Sequence, residues 1–353
     1  MRIRRTLPLV LAVVAVAAAV TLAVQLRKHA PPEPARLLPG ADAFFYLDLS
    51  RARKANSGKD LPSVSHDPEY ERFIRDTGFQ FERDLDEAAF AIHYPPKASP
   101  ERGGASRAEP RFSEIFVGKF DGGRLAGYLK QQARSIENYD SVDIYSLSIE
   151  DRTLRVAILG ADSVAASNVD DPAVIRGIVD RSRRLASPFG GPALLRKYYK
   201  RVQFSSPIWA VAHFEPSSPM FRGSSNLLPH AADFVISASY NPLLHLPLHP
   251  GSIHVRAEAM TASADDARAI ADKADAFLVM LRNAETAVSG RENDPDVKAM
   301  FDSLQVRQES DHAVLTATVP PRFLQKLLSE PPTEIPSAIS PPHRQHSAPT
   351  KSP

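Results

Sequence analysis

Ten short runs rich in β-branched and aromatic residues lie between residues 43 and 319, and any fold of this chain must pair them. Most of them alternate apolar and polar residues, the period that turns one face of a strand towards a core. Two pairs of runs are separated only by the three-residue turns 150–152 and 310–312. Connections this short join antiparallel neighbours, so the sequence predicts a substantial antiparallel sheet. The runs begin at Ala43, Ala88, Glu114, Asp143, Thr153, Pro207, Asp233, Ser252, Ser303 and Ala313.

Helices are predicted between these runs by two kinds of signal. Three begin with Asp followed by Pro, at residues 67–68, 171–172 and 294–295. The Asp side chain accepts hydrogen bonds from free N–H groups at the start of a helix, and Pro has its φ already set. Two longer helices are predicted from apolar residues at helical spacing, one from Leu125 to Ile136 and one from Ala267 to Leu281. Helices therefore alternate with strands, which indicates an α+β fold.

The order of these elements repeats along the chain. A strand at 114, a helix at 123, a hairpin over 143–159 and a helix at 172 are followed by a strand at 252, a helix at 264, a hairpin over 303–319 and a helix at 321. Both copies read β-α-β-β-α, although few residues are identical between them. We therefore predict two α+β modules, residues 41–200 and 201–330, each an antiparallel sheet with helices on one face. The sequence leaves open whether they form one continuous unit.

The N-terminal region contains an apolar run over residues 7–26, whose 20 residues would reach about 30 Å as a helix, the thickness of the hydrocarbon core of a bilayer. Because a basic stretch, residues 27–29, follows it directly, we predict a transmembrane anchor over residues 6–26. Cleavage of a signal peptide after Ala19 is the alternative. Basic residues favour residues 1–5 on the cytoplasmic side, which predicts a single-pass membrane protein whose bulk is periplasmic.

Two segments flank the expected folded part. Residues 27–40 hold a Pro-rich stretch that predicts an extended spacer between the membrane and the modules. Residues 331–353 combine Pro and Ser with few apolar residues, which predicts a disordered tail. The folded part is therefore expected between residues 41 and 330.

Charge and cysteine content exclude several classes of function. Three of the 43 basic residues precede the apolar run, so residues 27–353 hold 40 basic residues against 41 acidic ones and are close to neutral. A nucleic-acid-binding protein needs a basic surplus to neutralise phosphates, and we therefore predict no nucleic-acid partner. With no cysteine in the chain, disulfides and thiol nucleophiles are excluded.

No motif in the chain predicts catalysis, a cofactor or a metal site. His245 and His249 have the spacing of a helical zinc site, but Pro247 between them is incompatible with a regular helix. The sequence contains no G-x-S-x-G or S-x-x-K serine motif and no glycine-rich phosphate loop. We therefore predict a protein that is not an enzyme, with no catalytic residue, no cofactor and no metal.

One long polar loop carries apolar residues that suit a partner contact. The segment that begins at Ser217 contains Phe221, Leu227 and Leu228, and we predict these three residues as contacts to a partner. Packing of the loop on the chain's own core is the alternative. Trp209, in the preceding run, is predicted to lie in the core.

Together these features favour a non-catalytic binding or scaffolding protein of the bacterial envelope, with another envelope protein as its partner. The alternative is a small-ligand binder or a hydrolase whose site lies between the two modules, where pockets commonly form. A cleft that brings together His213, His230 and His254 would support that alternative.

Overall fold

A computed structural model describes residues 30–55, 66–94, 109–149, 152–183, 190–203, 206–216, 228, 230–240, 252–288 and 295–320. The predicted cytoplasmic N-terminus, anchor and tail lie outside these residues. The described strands are β1 (Ala43–Asp48), β2 (Leu85–His93), β3 (Arg111–Gly118), β4 (Ser135–Tyr139), β5 (Val142–Ile149), β6 (Arg152–Ile158), β7 (Ser163–Ser167), β8 (Ile208–Phe214), β9 (Ala232–Tyr240), β10 (Ile253–Met260), β11 (Gln305–Glu309) and β12 (His312–Val319). The described helices are α1 (Glu33–Leu37), α2 (Leu49–Ala55), α3 (Pro68–Thr77), α4 (Phe81–Asp84), α5 (Gly122–Gln132), α6 (Ala173–Arg183), α7 (Ala193–Tyr198), α8 (Ala264–Val288) and α9 (Pro295–Ser303), with a 3-10 turn over Tyr199–Arg201.

The described strands form one twelve-stranded sheet in the order β11-β12-β10-β9-β8-β1-β2-β3-β7-β6-β5-β4. Every neighbouring pair is antiparallel, as the short turns predict. The predicted boundary between residues 200 and 201 falls between β7 and β8. The sheet is continuous across it, because β1 and β8 are hydrogen-bonded neighbours.

The two halves of the sheet have related topologies. Each half begins with three consecutive strands, β1-β2-β3 or β8-β9-β10. Helix α5 in the first half, and helices α8 and α9 in the second, then lead to the outer strands. In each half the last strand returns to pair with the third, β7 with β3 and β12 with β10. The two halves share this return pairing, but the first copy contains four strands after the helix where the prediction has two. The helix predicted at 321 lies outside the described residues, so the β-α-β-β-α repeat stays a prediction.

The two additional strands, β4 and β7, correct the sequence prediction. The helix predicted to reach Ile136 ends at Gln132, and Ala133 is already extended, with φ −73° and ψ 133°. Ile136 lies in β4, where it pairs with Tyr145. Strand β7, Ser-Val-Ala-Ala-Ser, has few residues that favour a strand and is held by pairing with β3 on one side and β6 on the other.

The predicted helix starts are confirmed where they fall on described residues. Asp67 accepts hydrogen bonds from the N–H groups of Glu69 and Tyr70 at 2.9 and 2.8 Å, and α3 begins at Pro68. Asp171 accepts one from Ala173, the first residue of α6, at 2.9 Å. Helix α9 begins at Pro295.

Part of the predicted spacer belongs to the folded region. Residues 33–37 form α1, and Leu37 and Leu38 are buried against the sheet. The reason is local, because Ala35 and these two leucines give the end of the Pro-rich stretch an apolar surface. It therefore packs on the core instead of extending away from it.

The helices divide between the two faces of the sheet. Helices α1, α6 and α7 cover the first, which we call the core face. There Trp209 is 1% exposed, stacks on Tyr46 and meets Tyr199 edge to face. This confirms the prediction for Trp209. Helices α5 and α8 lie on the opposite face, α5 against β5, β6 and β7 and α8 against β10 and β12.

Candidate binding face

A row of directly opposed residues crosses all twelve strands on the face that carries α5 and α8. Opposed residues of antiparallel strands point to the same side, so the row is a continuous line of side chains. All are hydrocarbon side chains except for Glu114 and the hydroxyl of Tyr145. The row consists of Ile136, Tyr145, Val156, Ala166, Glu114, Phe90, Phe45, Ala210, Ile236, Ala257, Leu315 and Val306.

A second apolar row lies beside the first on the same face. It crosses nine strands without a polar side chain, so the apolar character belongs to the whole face and not to single positions. The row consists of Ile158, Val164, Phe116, Ala88, Leu47, Ile208, Ala238, Val255 and Ala317.

Two helices cover parts of the first row, whereas its middle is open to solvent. Leu125 and Leu129 of α5 pack with Tyr145, Val156 and Ala166, and Ile270 and Ala271 of α8 pack beside Val306. Ile136, at the end of the row beyond α5, is 44% exposed. Between the two helices, Ala88 of β2 is buried beside Phe79, whereas the other row residues of β2, β1, β8 and β9 are half-buried or exposed. Ile208 and Ile236 are 39% and 42% exposed. We call this region the open trough. It is four strands wide, about 15–20 Å, and consists of Phe45, Leu47, Phe90, Ile208, Ala210, Ile236 and Ala238.

One wall of the open trough is a flank of α8. At about 100° per residue, Asp266, Phe277 and Met280 fall within about 60° of one another around this helix. Asp266 pairs with His230, next to β9, at 3.1 Å, so this flank faces the centre of the sheet. On the opposite flank Arg282 bonds to the carbonyl of Leu304, next to the outer strand β11. Phe277 and Met280, 40% and 56% exposed, therefore extend the apolar surface upwards from the sheet.

The other wall is a cluster of aromatic rings. Phe90 of the open trough contacts Phe116 with ring centroids 5.8 Å apart, and both pack against Phe79. Phe79 in turn stacks on Phe120 at 4.3 Å. Phe81, at the start of α4, is 38% exposed above this cluster. The open trough thus has apolar walls on both sides.

A single carboxyl group interrupts the apolar row beside this aromatic wall. Glu114 lies opposite Phe90 on β2 and Ala166 on β7, with Phe112 and Phe116 two residues away on its own strand. Burial raises the pKa of its carboxyl above the usual range. Among the described residues Glu114 has no hydrogen-bond or ion-pair partner. Glu114 is half-buried, so its carboxyl lies between the apolar row and solvent. A cation brought by a ligand would pair with it more strongly there than in open water.

A histidine hydrogen-bonded to two carboxylates links the helices beside the aromatic wall. His66 Nδ1 lies 2.7 Å from Glu71 Oε1, and His66 Nε2 lies 3.0 Å from Glu82 Oε1, which joins α3 to α4. The hydrogen bonds to Glu82 and then Glu71 raise the pKa of His66. Burial alone would raise the pKa of Glu82, but its hydrogen bonds, from Tyr70 and His66 among others, outweigh burial and lower it.

These shifts predict a pH-dependent contribution of His66 to stability. A raised histidine pKa stabilises the folded state below the unfolded value of 6.5, and the contribution is lost as the pH rises through the raised value. The lowered pKa of Glu82 means that its carboxylate stabilises the folded state above pH 4.5, and this contribution is lost as the pH falls through the lowered value. We expect His66→Ala to lower the melting temperature more at about pH 5.5 than at about pH 8.5. Equal losses at the two pH values, measured by thermal unfolding, would contradict this assignment.

The three histidines expected in a cleft between modules do not come together. His213 bonds to Asp233 at 2.7 Å, and His230 pairs with a different carboxylate, Asp266. His254 lies opposite Ser239, six residues along β9 from Asp233 and therefore about 20 Å away. His254 does line a cavity of about 300 Å³ with Gln203, Val255, Arg256, Ser303, Gln305, Thr316, Ala317 and Thr318.

Of the predicted partner contacts, one falls on a described residue. Leu228 is partly buried and packs against a cluster formed by Ala232, Ala259, Ile270, Ala271 and Ala313. Phe221 and Leu227 lie outside the described residues. The prediction that these three residues contact a partner stays a prediction.

Two further findings concern metals and membranes. Within the described ranges, no three His, Asp or Glu side chains form a group able to hold a metal ion. Across the same part of the chain, none of the helices combines the length and the apolar character needed to cross a membrane. The predicted anchor over residues 6–26 lies outside the described residues.

Comparison with known proteins shows similarity at the level of solved structures. No protein-family model and no curated protein matches the chain. Crystal form III of TP0453 is similar with a TM-score of 0.47 and 10% identity, over 85% of this chain and 99% of that one. Crystal forms IV and I of TP0453 each have a TM-score of 0.39 and 9% identity, and cover 85% and 84% of this chain and 98% and 97% of theirs. Similarity this low supports no conclusion about function.

Proposed function

We propose that this chain is a non-catalytic binding protein that holds an apolar segment of a partner protein in the open trough. The observation that carries the proposal is the apolar row, which runs from beneath α5 to beneath α8 with Glu114 as its one charged residue, although its middle is open. Large exposed apolar surfaces mark interaction sites on soluble domains, because leaving them in water is unfavourable.

The setting we propose for this binding is the bacterial envelope. The predicted anchor over residues 6–26 would hold the chain in the membrane, with residues 1–5 in the cytoplasm and the sheet in the periplasm. An envelope protein is then the partner within reach of the open trough. The basis for this setting is the sequence of the N-terminal region.

The alternative, a small-ligand binder or hydrolase between the two halves, has less support. The join between the halves is the β1–β8 pair, whose open-trough side is apolar and has no titratable group on either strand. The polar cavity beside His254 lies at the other end of β9 from His213. Arg256, which lines that cavity, is already paired with Glu258 at 2.7 Å.

A photocrosslinking experiment in cells tests the proposed function. A photoreactive amino acid is placed at Ile236 in the open trough or, as a matched control, at Ile149, which is 50% exposed at the end of β5. We expect one reproducible protein adduct from position 236 and none from position 149.

Ile208→Asp is the matching variant, because Ile208 lies in the same trough and is already exposed. We expect it to reduce the adduct at least about tenfold, since a charge would replace apolar contact, while the free energy of unfolding changes by about 1 kcal/mol or less. An adduct from both crosslinking positions, or one insensitive to Ile208→Asp, would contradict the proposed function.

A further inference from the structure

We propose that the occupant of the open trough is an amphipathic α-helix that carries a lysine or arginine at the edge of its apolar stripe, and that this cation pairs with Glu114. The proposal rests on the proposed function of the trough and names the chemistry of what binds there. The width of the trough, the hydrogen bonding of its strands and the position of Glu114 each contribute to it.

The width of the open trough fits one helix. A helix with its side chains is about 10–12 Å across, and the trough is about 15–20 Å wide between walls formed by α8 and the aromatic cluster. Helices α5 and α8 already place apolar stripes on this face of the sheet, and Leu49 of α2 packs beside Ala88 at the edge of the trough. A helix bound in the trough would fill the remaining gap in this layer.

The hydrogen bonding of the central strands favours a helix over an extended segment. Strands β1 and β8 each pair with a neighbour on both sides, so their N–H and C=O groups are used within the sheet. An extended peptide laid on this face would leave its own backbone groups unpaired in apolar surroundings. A helix satisfies its backbone internally and presents only side chains.

The position of Glu114 selects a cation on that helix. The rest of the open trough and its walls would be satisfied by any apolar surface, but Glu114 lies at the edge beside Phe90 without a partner among the described residues. No basic side chain shares this face on β2, β3 or β7. A lysine or arginine at the edge of the incoming stripe supplies the donor that the carboxylate lacks, and charge-assisted hydrogen bonds of this kind are the stronger ones.

Two synthetic peptides test the proposal. Each is a helix of about 18 residues, about 27 Å long, whose apolar stripe is leucine at positions i, i+3, i+4 and i+7. One peptide carries a single lysine at the edge of this stripe, and its twin carries norleucine at the same position. The full-length protein is held in lipid nanodiscs with a photoreactive residue at Ile236. The crosslinking yield as a function of peptide concentration then gives an apparent Kd for peptide in the trough. Peptide bound to the lipid does not contribute, because only peptide next to position 236 is crosslinked.

We expect Glu114→Gln to weaken the apparent Kd of the lysine peptide about tenfold or more and that of its twin by about twofold or less. Glu114→Leu should remove the discrimination in the same way. Glu137→Gln, on the core face of β4, is the matched control and should change neither peptide. The melting temperature of both Glu114 variants should not fall, because each removes an unpaired carboxylate from apolar surroundings.

The outcomes separate this proposal from the proposed function. If both peptides crosslink and Glu114→Gln weakens them equally or not at all, the cation pairing is wrong and binding in the trough stands. If neither peptide crosslinks to the wild-type protein, the helix proposal is wrong. If in addition a photoreactive acyl chain labels the protein and this labelling competes with crosslinking from position 236, the occupant is a lipid and the proposed function is wrong as well. If the acyl chain does not label the protein, the adduct from position 236 in cells decides the proposed function.

Discussion

Replacing Trp209 with alanine is expected to lower the free energy of unfolding by about 3–5 kcal/mol. The indole is 1% exposed, and its ring centroid lies 5.3 Å from that of Tyr46 and 5.2 Å from that of Tyr199. Alanine would leave a cavity beneath the centre of the sheet, where β8 joins the two halves. Urea unfolding monitored by far-UV circular dichroism measures the change.

The neighbouring residue on β8 provides the control for this prediction. Ile208 points to the opposite face and is 39% exposed, so Ile208→Asp should change stability by about 1 kcal/mol or less while it disrupts the open trough. Trp209→Phe should cost less than Trp209→Ala because most of the ring volume is kept. A loss of stability that is as large at Ile208 as at Trp209 would mean that the trough is part of the core.

Replacing Gly118 with alanine is expected to cost about 2–3 kcal/mol, because a side chain there would collide with backbone. A Cβ at this position would lie 2.4 Å from the carbonyl oxygen of Asp84 and 3.1 Å from the Cα of Leu85. Both atoms are held in place, because the Asp84 carbonyl accepts a hydrogen bond from the N–H of Lys119 at 2.9 Å and the Leu85 carbonyl accepts one from Arg53 at 2.7 Å. The shift in the midpoint of urea unfolding checks this prediction.

Gly122 is the matched control for Gly118. It is the first residue of α5, and a Cβ there would have no heavy atom within 4 Å. Gly122→Ala should leave stability unchanged or raise it by about 0.5 kcal/mol through the lower entropy of the unfolded chain. Equal destabilisation at both glycines would show that the close approach at Gly118 is not the cause.

The strands were predictable because their signals are local. The run from Pro207 alternates Trp209 and Val211 with smaller residues, and Asp67-Pro68 fixes a helix start whatever lies around it. Strands β4 and β7 were not predictable in this way. Ile136 continues the spacing of the helix before it, and the alanines of β7 become a strand only through neighbours on both sides.

The open trough could not be predicted, because it depends on which helices cover which face. Several central runs, such as Ala-Phe-Phe-Tyr-Leu from Ala43, are apolar on both sides, which reads as burial on both faces. Tyr46 is buried on the core face against Trp209, whereas Phe45 on the other face is half-buried. In the sequence, Glu114 occupies a position between Phe112 and Phe116 that the strand alternation predicts to be apolar. This break in the alternation was the sequence signal for an unusual carboxyl group.

The two strands at the ends of the sheet order limit how this protein meets others. Strands β4 and β11 have five residues each, and they carry Glu137 on one and Arg307 and Glu309 on the other. Short, charged edges discourage the addition of a further strand from another molecule. Such borders discourage polymerisation of the twelve-stranded sheet, and the binding proposed for the open trough uses the face of the sheet instead of its edges.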